Sequence, residues 1–577
     1  MLSNLFNQGK KTLKFKKIAN IFRDLKQKQY TVDSVILWVA GFLLLFCNQA
    51  FFDNIIQQYS LSSDTFSFIV SLAIFLFALT VILLGLVSSR YTLKPVLVIV
   101  FFVAAGSSYF MNSYNIVIDT TMLTNVMETD AREAGDLLSV KLLLSLVFLG
   151  LLPSLWVLRL NLKPVTLRRA LLSRVKLMLG SVMAIGVVVM LWSPYYASFF
   201  REHKHLRYYA NPVTAIYSMG MFVSENLHSD ADISRQLIGL DAKIPDEDKD
   251  RELIILVLGE TARADHFSLN GYSRQTNPLL ENYPVVNFPN MTSCATSTAL
   301  SVPCMFSKYS ENEFDIDDAD YQESLLDVLD HADIHMLWRD NNSSSKGVAA
   351  VLDEEDYRDP AINSVCDDEC RDIGMLAGLD KWIEHQENGD VVIVLHQMGN
   401  HGPAYYKRYP EEFEIFSPVC RSNDLQECSV EEINNAYDNA IRYTDYFLAE
   451  VINFLEGYDD DFETAMFYVS DHGESLGEHG LYLHGMPNFM APEPQRHVPA
   501  LIWFGKNYGI DLPLLQARSD NEYSHDNFFH TVLGLMEIET KVYDPALDII
   551  ADAHQQHEQL AGAKSSTPRS INFDSHL

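Results

Sequence analysis

The chain has 577 residues, 48% of them hydrophobic, and a formal net charge of −33. This length requires at least two folded units. The acidic balance excludes nucleic acid as a partner, because no basic cluster outside the membrane flanks could replace the counterions of a phosphate backbone. Apolar residues concentrate in the first 200 positions and acidic residues in the remainder, which predicts a membrane region followed by a water-exposed one.

Five apolar stretches in the first region are long enough to be membrane-spanning helices, which need about 20 residues to cross the hydrocarbon core. They cover residues 34–52, 66–88, 95–111, 138–158 and 172–194. The sequence therefore predicts an α-helical membrane domain with five transmembrane helices over residues 1–198.

Basic residues are concentrated in every second segment outside the predicted spans. They concentrate before the first span and in the turns at 90–94 and 159–169, whereas the loops 53–65 and 112–137 contain a single one, Arg132. Because basic loops remain in the cytoplasm, we expect a cytoplasmic N terminus. Five crossings then place the rest of the chain outside.

The region after the spans begins and ends with polar segments. Residues 199–250 are expected to form a linker with an amphipathic helical part that can lie at the membrane interface. Residues 552–577 have no apolar periodicity, and we expect them to be disordered.

Six of the seven cysteines lie in the polar half. They form three close pairs, Cys294 with Cys304, Cys366 with Cys370, and Cys420 with Cys428. Close pairs are typical of disulfides in an oxidising compartment, in agreement with the predicted orientation. Zinc binding is the alternative, and spacing alone does not fix the connectivity.

Residues 251–551 alternate polar helical stretches, such as 431–456, with short apolar runs. The runs have the length and the β-branched or aromatic content of strands buried on both faces. They cover 253–258, 335–338, 391–395, 465–469 and 498–504. This pattern predicts an extracytoplasmic α/β domain with a largely parallel central sheet.

Polar side chains follow three of these runs directly: Glu260, then His396 with His401, then Asp471 with His472. Ligands of open α/β sheets bind outside the carboxyl ends of strands. Carboxylate and imidazole ligands suit zinc, and three protein ligands leave a position open for chemistry. A single Asp-His in a loop is usually an ordinary turn, but the conjunction at three strand ends favours a metal centre.

Five motifs follow one another in a familiar order. They are GETARADHFSLNGYSRQTNPLL at 259–280, SCATSTALSVPCMF at 293–306, LWRDNNSSSKGV at 337–348, LHQMGNHGPAYYKRYP at 395–410 and SDHGESLGEHGLYLHGMP at 470–487. Together with the five spans they resemble the lipid A phosphoethanolamine transferases, which include the mobile colistin-resistance enzymes and belong to the alkaline-phosphatase-like superfamily.

The resemblance implies a catalytic zinc held by Glu260, Asp471 and His472. It places Thr298 in the position of the nucleophile, which also binds the zinc. Ala295 is a mild departure, since the family usually has glycine there. Without the resemblance, a helix cap or a turn is the favoured role of Thr298.

Further positions match residues of the family's substrate site. The resemblance implies that Lys346, His401 and His484 either line the phosphoethanolamine pocket or bind a second, labile zinc. It also implies that a loop contacts the head group of the lipid substrate through Asn125, Thr129 and Glu133. From the residues alone, His401 and His484 are equally compatible with structural roles.

The implied reaction transfers phosphoethanolamine from phosphatidylethanolamine to a phosphate of lipid A through a phosphothreonine intermediate. We expect a monomer in the inner membrane of a Gram-negative bacterium, with its catalytic domain in the periplasm. The added ammonium group would weaken the attraction of polymyxin to the envelope.

Two other readings remain open at this point. The acceptor could be core heptose, Kdo, a glycan or a protein instead of lipid A. The chain could also be a non-catalytic membrane sensor or a transporter subunit, although the predicted spans lack the paired charges typical of a transport path. A sulfatase is excluded, because the Cys- or Ser-x-Pro-x-Arg segment is absent.

Overall fold

The computed structural model describes residues 29–59, 61–129, 131–228, 235–246, 248–319, 321–352, 354–386 and 388–554. The side chain of Glu133 lies outside the described part, as does the predicted tail 552–577 from residue 555 onward. The chain forms two compact units. The first comprises residues 1–123 and 138–224, and the second comprises residues 124–137 and 225–577.

Long apolar helices make up the first unit. Four are long and apolar enough to cross a membrane: Ser63–Val87, Leu93–Tyr114, Val140–Arg159 and Leu167–Leu191. A bent pair, Val32–Phe46 and Gln49–Gln58, gives a fifth candidate span. The expected helical membrane domain is thereby confirmed, with five spans when the bent pair counts as one.

The first predicted span, 34–52, is broken, and its two helices meet at an angle of 54°. Asn48 lies at the break and is buried. Its side-chain amide donates hydrogen bonds to the carbonyls of Leu43 at 2.9 Å and Asn211 at 2.6 Å, and it accepts one from the Asn211 N–H at 2.9 Å. Because a buried amide has to be hydrogen-bonded, the helix breaks where Asn48 meets Asn211.

The helix Leu167–Leu191 exposes mainly apolar side chains, among them Leu171 and Met190. Water solvates such a surface poorly, whereas the hydrocarbon of a bilayer accepts it. The unit also contains the helix Ser193–Arg201, most of Val213–His228 and a parallel pair of two-residue strands, Gln29–Tyr30 with Asn161–Leu162.

An eight-stranded sheet organises the second unit. In chain order its strands are β1 (Glu252–Gly259), β2 (Val286–Thr292), β3 (His335–Asp340), β4 (Glu354–Asp356), β5 (Val391–His396), β6 (Glu463–Ser470), β7 (His497–Phe504) and β8 (Tyr523–Ser524). Their spatial order is β8-β2-β7-β6-β1-β5-β3-β4, and β7 runs antiparallel to both its neighbours while the other pairings are parallel. The predicted α/β domain with a largely parallel sheet is confirmed.

Helices cover the sheet, and its central strands carry mainly apolar side chains. All eight residues of β1 are buried, and alternate ones, such as Leu256, enter a core with side chains of neighbouring helices. The long helix Val430–Glu456 begins with a capping box formed by Ser429 and Glu432. The helix Thr120–Glu128 begins in the first unit and ends in the second. The other described helices of the second unit are Ala131–Asp136, Thr298–Met305, Ile316–Ala319, Leu325–His331, Leu379–Glu384, Leu512–Gln516 and Phe528–Leu535, and a hairpin pairs Ser475–Leu476 with Tyr482–Leu483.

Candidate active site

The neighbouring strands β1 and β6 bring three predicted ligands together. Their parallel register aligns Gly259 with Ser470, so Glu260 and the pair Asp471–His472 leave the sheet at the same edge. The candidate ligand atoms of these three residues all lie within 4.8 Å of one another, and all three residues are buried.

The predicted nucleophile lies against this cluster. Thr298 is the first residue of the helix Thr298–Met305. Its Oγ1 donates a hydrogen bond to Glu260 Oε2 at 3.0 Å and lies 3.3 Å from His472 Nε2. The N terminus of a helix carries partial positive charge, which favours negative charge on an oxygen placed there. This position is therefore chemically suited to an alkoxide.

The donor set fits a zinc ion. Burial lowers the pKa of His472 to about 3, so its imidazole is neutral. Its Nδ1 lies 2.9 Å from the carbonyl of Gly473. With the proton on Nδ1 as donor in this bond, Nε2 is left free to bind a metal. Two buried carboxylates and a neutral imidazole form a typical zinc ligand set, and a divalent cation would compensate the two carboxylate charges.

Asn342 also contacts the cluster, although it is not among the residues predicted for the site. Its Nδ2 donates hydrogen bonds to Glu260 Oε2 at 2.5 Å and to the carbonyl of Gln397 at 3.0 Å. Asn342 follows β3 just as Glu260 follows β1. The rule that ligands gather at strand ends could therefore have identified it, because β3 was itself a predicted strand.

Two further predicted residues, His401 and His484, lie beside His472. The ring centroid of His484 is 4.4 Å from that of His472 and 5.7 Å from that of His401. His484 Nδ1 lies 3.4 Å from Oε2 of the buried Glu474. The structure thus gathers three histidines at one edge of the sheet. Whether the outer two bind substrate or a second zinc stays a prediction.

The remaining predicted pocket residues whose side chains the structure describes have partners within the second unit. Lys346 has a buried side chain whose Nζ lies 3.5 Å from Glu128 Oε2. The Thr129 hydroxyl donates to the carbonyl of Asn125 at 2.7 Å, one helical turn earlier. Their role in binding a lipid head group stays a prediction.

A cavity of about 400 Å³ opens beside the cluster. Most of the residues that line it are polar or charged, among them Asn342 and His401. Further lining residues are Asp136, Asn341, Arg358, Glu369, Lys407 and Arg408. The contact of Asn342 with Glu260 connects this cavity to the donor set.

Three disulfides join the close cysteine pairs of the second unit: Cys294–Cys304, Cys366–Cys370 and Cys420–Cys428. The first encloses Thr298, so it restrains the loop that presents the candidate nucleophile. Cys47 is a buried free thiol.

Two family models match the chain. The model described as phosphoethanolamine transferase EptA/EptB matches residues 76–227, and the sulfatase model, which represents an alkaline-phosphatase-like domain, matches residues 252–538.

The chain is also similar to named proteins over nearly its whole length. It is 45% identical to phosphatidylethanolamine transferase Mcr-1 of Escherichia coli, over 87% of this chain and 94% of that protein. It is 38% identical to phosphoethanolamine transferase EptA of E. coli K12, over 93% and 100%. The solved structure of the integral membrane protein lipooligosaccharide phosphoethanolamine transferase A from Neisseria meningitidis superimposes with a TM-score of 0.87 at 34% identity, covering 91% of this chain and 99% of that one.

Proposed function

This chain belongs to the phosphoethanolamine transferase family of the EptA and Mcr proteins, and on that premise we propose that it transfers phosphoethanolamine from phosphatidylethanolamine to a phosphate of lipid A. The observation that carries the proposal is the hydrogen bond of Thr298 to Glu260 inside a buried zinc-type donor set. The names of the Mcr-1 and Neisseria relatives, which specify phosphatidylethanolamine and lipooligosaccharide, support a lipid donor and a glycolipid acceptor.

Glu260, Asp471 and His472 hold one tightly bound zinc ion in this proposal, and Thr298 completes its ligand set. When bound, zinc supplies positive charge that lowers the pKa of a neighbouring hydroxyl and neutralises charge on a phosphate. The donor set described above supports this assignment, because all three side chains are buried and their ligand atoms converge.

The proposed reaction consists of two successive displacements at the phosphorus atom of phosphoethanolamine, and residues of this chain promote both. The Thr298 hydroxyl gives its proton to Glu260, with which it is hydrogen-bonded, and its oxygen attacks phosphorus in line. The bond from phosphorus to the diacylglycerol oxygen breaks, and diacylglycerol leaves with a proton. An oxygen of the lipid A phosphate then attacks phosphorus of the phosphothreonine, the bond from phosphorus to the Thr298 oxygen breaks, and that oxygen takes back the proton held by Glu260.

The histidines beside the cluster are suited to proton transfer. An imidazole within reach of the leaving oxygen can protonate it as diacylglycerol departs. His484, next to His472, takes this role, and His401 lies beside it. The alternative role of His401 and His484, together with Lys346, is to bind a second, labile zinc. In that case, added zinc would change the rate of transfer without changing the number of tightly bound zinc ions per protein.

The site faces the periplasm in this proposal, with the first unit in the inner membrane and the N terminus in the cytoplasm. The alternation of basic loops supports this orientation. The three disulfides also support it, because such bonds persist outside the reducing cytoplasm.

Lipid A from a Gram-negative host tests the proposal. Cells expressing the wild type should carry phosphoethanolamine on lipid A phosphates by mass spectrometry and should tolerate more polymyxin, whereas cells expressing Thr298→Ala at the same level should not. Phosphoethanolamine on core oligosaccharide alone would reject lipid A as the acceptor and retain the reaction. Unmodified lipids with a folded, zinc-loaded protein would reject the transfer itself.

A further inference from the structure

One wall of the cavity of about 400 Å³ beside the candidate metal centre is formed by a segment that is distant in sequence from the strands of the sheet. The cavity lining includes Asp136, which belongs to the segment 124–137, and this segment is part of the second unit. At the other end of the segment, Glu128 lies 3.5 Å from the ammonium of Lys346. Charged contacts therefore hold the segment near both of its ends.

Arg408 provides the main attachment at the cavity end. Its side chain is only 2% exposed. One guanidinium nitrogen, Nη2, lies 2.7 Å from Asp136 Oδ2, and Nη1 lies 2.5 Å from both carboxylate oxygens of Glu369. Nε donates to the carbonyl of His401 at 2.6 Å. A buried arginine needs such a complete set of acceptors, because an uncompensated buried charge is strongly unfavourable.

Asp136 is held on three sides. Besides the contact with Arg408, its Oδ1 lies 2.5 Å from Lys407 Nζ, and its carbonyl accepts a hydrogen bond from Asn423 Nδ2 at 2.8 Å. Burial alone would raise the pKa of Asp136, but the charges of Arg408 and Lys407 hold it below its usual value. The carboxylate is therefore ionised throughout the neutral range, and the ion pair persists there.

We infer that Asp136 and Arg408 are positioning residues for the phosphoethanolamine donor. Their ion pair fixes the segment 124–137 as a wall of the cavity, and the bond from Arg408 to the His401 carbonyl joins that wall to the histidines beside the candidate metal centre. The inference rests on the proposed function. It goes beyond it by assigning donor binding to a charge pair outside the proposed zinc ligands Glu260, Asp471 and His472.

The variant Asp136→Asn tests the inference, since it retains the shape of the side chain and removes its charge. Full-length protein in vesicles of phosphatidylethanolamine and lipid A should show a KM for the donor raised at least tenfold, with kcat within threefold of the wild type. Hydrogen exchange of peptides from 124–137 should be at least tenfold faster. Asp136→Glu, which restores the charge, should recover much of the wild-type KM.

Glu355→Gln is the matched control. It removes the carboxylate partner of Arg339, another buried arginine that also bonds to backbone carbonyls, and it lies outside the cavity lining. We expect wild-type KM and wild-type exchange of 124–137.

Several outcomes would overturn the inference: an unchanged donor KM in Asp136→Asn, unchanged exchange of 124–137, or an equal rise of KM in the control. If Asp136→Asn fails to fold, Asn423→Ala provides the test, because it removes only the hydrogen bond to the Asp136 carbonyl. This variant should raise the donor KM and speed the hydrogen exchange of 124–137. No change in either quantity would also overturn the inference. A wild type that transfers no phosphoethanolamine at all rejects the proposed function and, with it, the inference.

Discussion

The hydroxyl of Thr298 lies 3.0 Å from Oε2 of Glu260, although 38 residues separate them in the chain. The contact forms because Glu260 leaves the end of β1 and Thr298 begins a helix above the same edge of the sheet. Two groups therefore act on the Thr298 oxygen. The carboxylate of Glu260 accepts its proton, and the N terminus of the helix stabilises the negative charge that results.

The first prediction concerns this hydroxyl. Thr298→Ala should lower phosphoethanolamine transfer at least 1,000-fold, on the order of the losses seen when a nucleophile is removed, because no oxygen remains to attack phosphorus. Thr298→Ser is the matched control, and we expect it to retain measurable transfer and a trappable phosphorylated residue. Both variants should keep their bound zinc by elemental analysis. Near-wild-type transfer by Thr298→Ala would reject Thr298 as the nucleophile.

The second prediction concerns the zinc ligands. Asp471→Ala should reduce the zinc content of the purified protein well below that of the wild type, since a three-residue site loses much of its affinity with one ligand gone. Asp445→Asn is the control: this buried carboxylate accepts backbone hydrogen bonds from Leu279 and Leu280 and lies outside the cluster. Equal zinc content in both variants would contradict the assignment.

Asn342 gives the third prediction. Its side chain donates to Glu260, and partners of metal ligands typically contribute about 10- to 100-fold to metal affinity or activity. Asn342→Ala should therefore lower transfer by about that factor and make zinc easier to remove with a chelator. Unchanged transfer together with unchanged zinc retention would show that this hydrogen bond is dispensable.

The fourth prediction compares two disulfides with loops of similar length. Cys294–Cys304 closes over 10 residues and Cys420–Cys428 over 8, so replacing either pair by alanine should cost a similar stability, about 2–4 kcal/mol. Only the first encloses Thr298. We therefore expect kcat to fall in the Cys294→Ala/Cys304→Ala variant and to persist in the other, measured below the melting temperature of both. Equal kcat values would contradict this.

The fifth prediction concerns pH. Glu252 and Asp390 are buried side by side at the start of β1 and β5, and the Glu252 N–H donates to Asp390 Oδ1 at 3.1 Å. Burial, with the charges of Asp390, Asp248 and Glu537, raises the pKa of Glu252 far above its ordinary value. The folded protein thus retains a proton that the unfolded chain releases above its ordinary pKa of about 4.3.

Glu252 therefore contributes stability that is lost as pH rises through the window between its ordinary and its raised pKa, by up to about 1.4 kcal/mol per pH unit. Denaturant unfolding of the full-length protein in detergent at pH 5.5 and pH 8.5 would measure this fall. Glu252→Gln, which cannot ionise, should flatten it and should be the more stable protein at pH 8.5. An equal change of stability between the two pH values in the wild type and in Glu252→Gln would contradict the prediction.

The candidate metal ligands were predictable because they follow directly in sequence the strands that position them. The apolar runs identified β1, β5 and β6, and Glu260, Asp471 and His472 follow within two residues of two of those strands. A local pattern was sufficient here, because parallel strands bring their carboxyl ends to one edge regardless of what separates them in the chain.

Features that depend on distant partners were not predictable. The polar pair Asn48–Gln49 interrupts the apolar run 34–52, but the sequence does not reveal that Asn48 bonds to Asn211, 163 residues later. The contact of Arg408 with Asp136 spans 272 residues. Arginine in a loop is usually solvated, so no local pattern distinguishes Arg408 from its neighbour Lys407.

The division of the chain also affects how inhibitors should be sought. A soluble fragment beginning at residue 225 would retain Thr298 and the three candidate zinc ligands, but it would lack the segment 124–137. Arg408 and Glu369 would then meet solvent where Asp136 stands in the whole protein. Small molecules selected against such a fragment would encounter a cavity open on one side, so screening should use the intact chain in a bilayer or detergent.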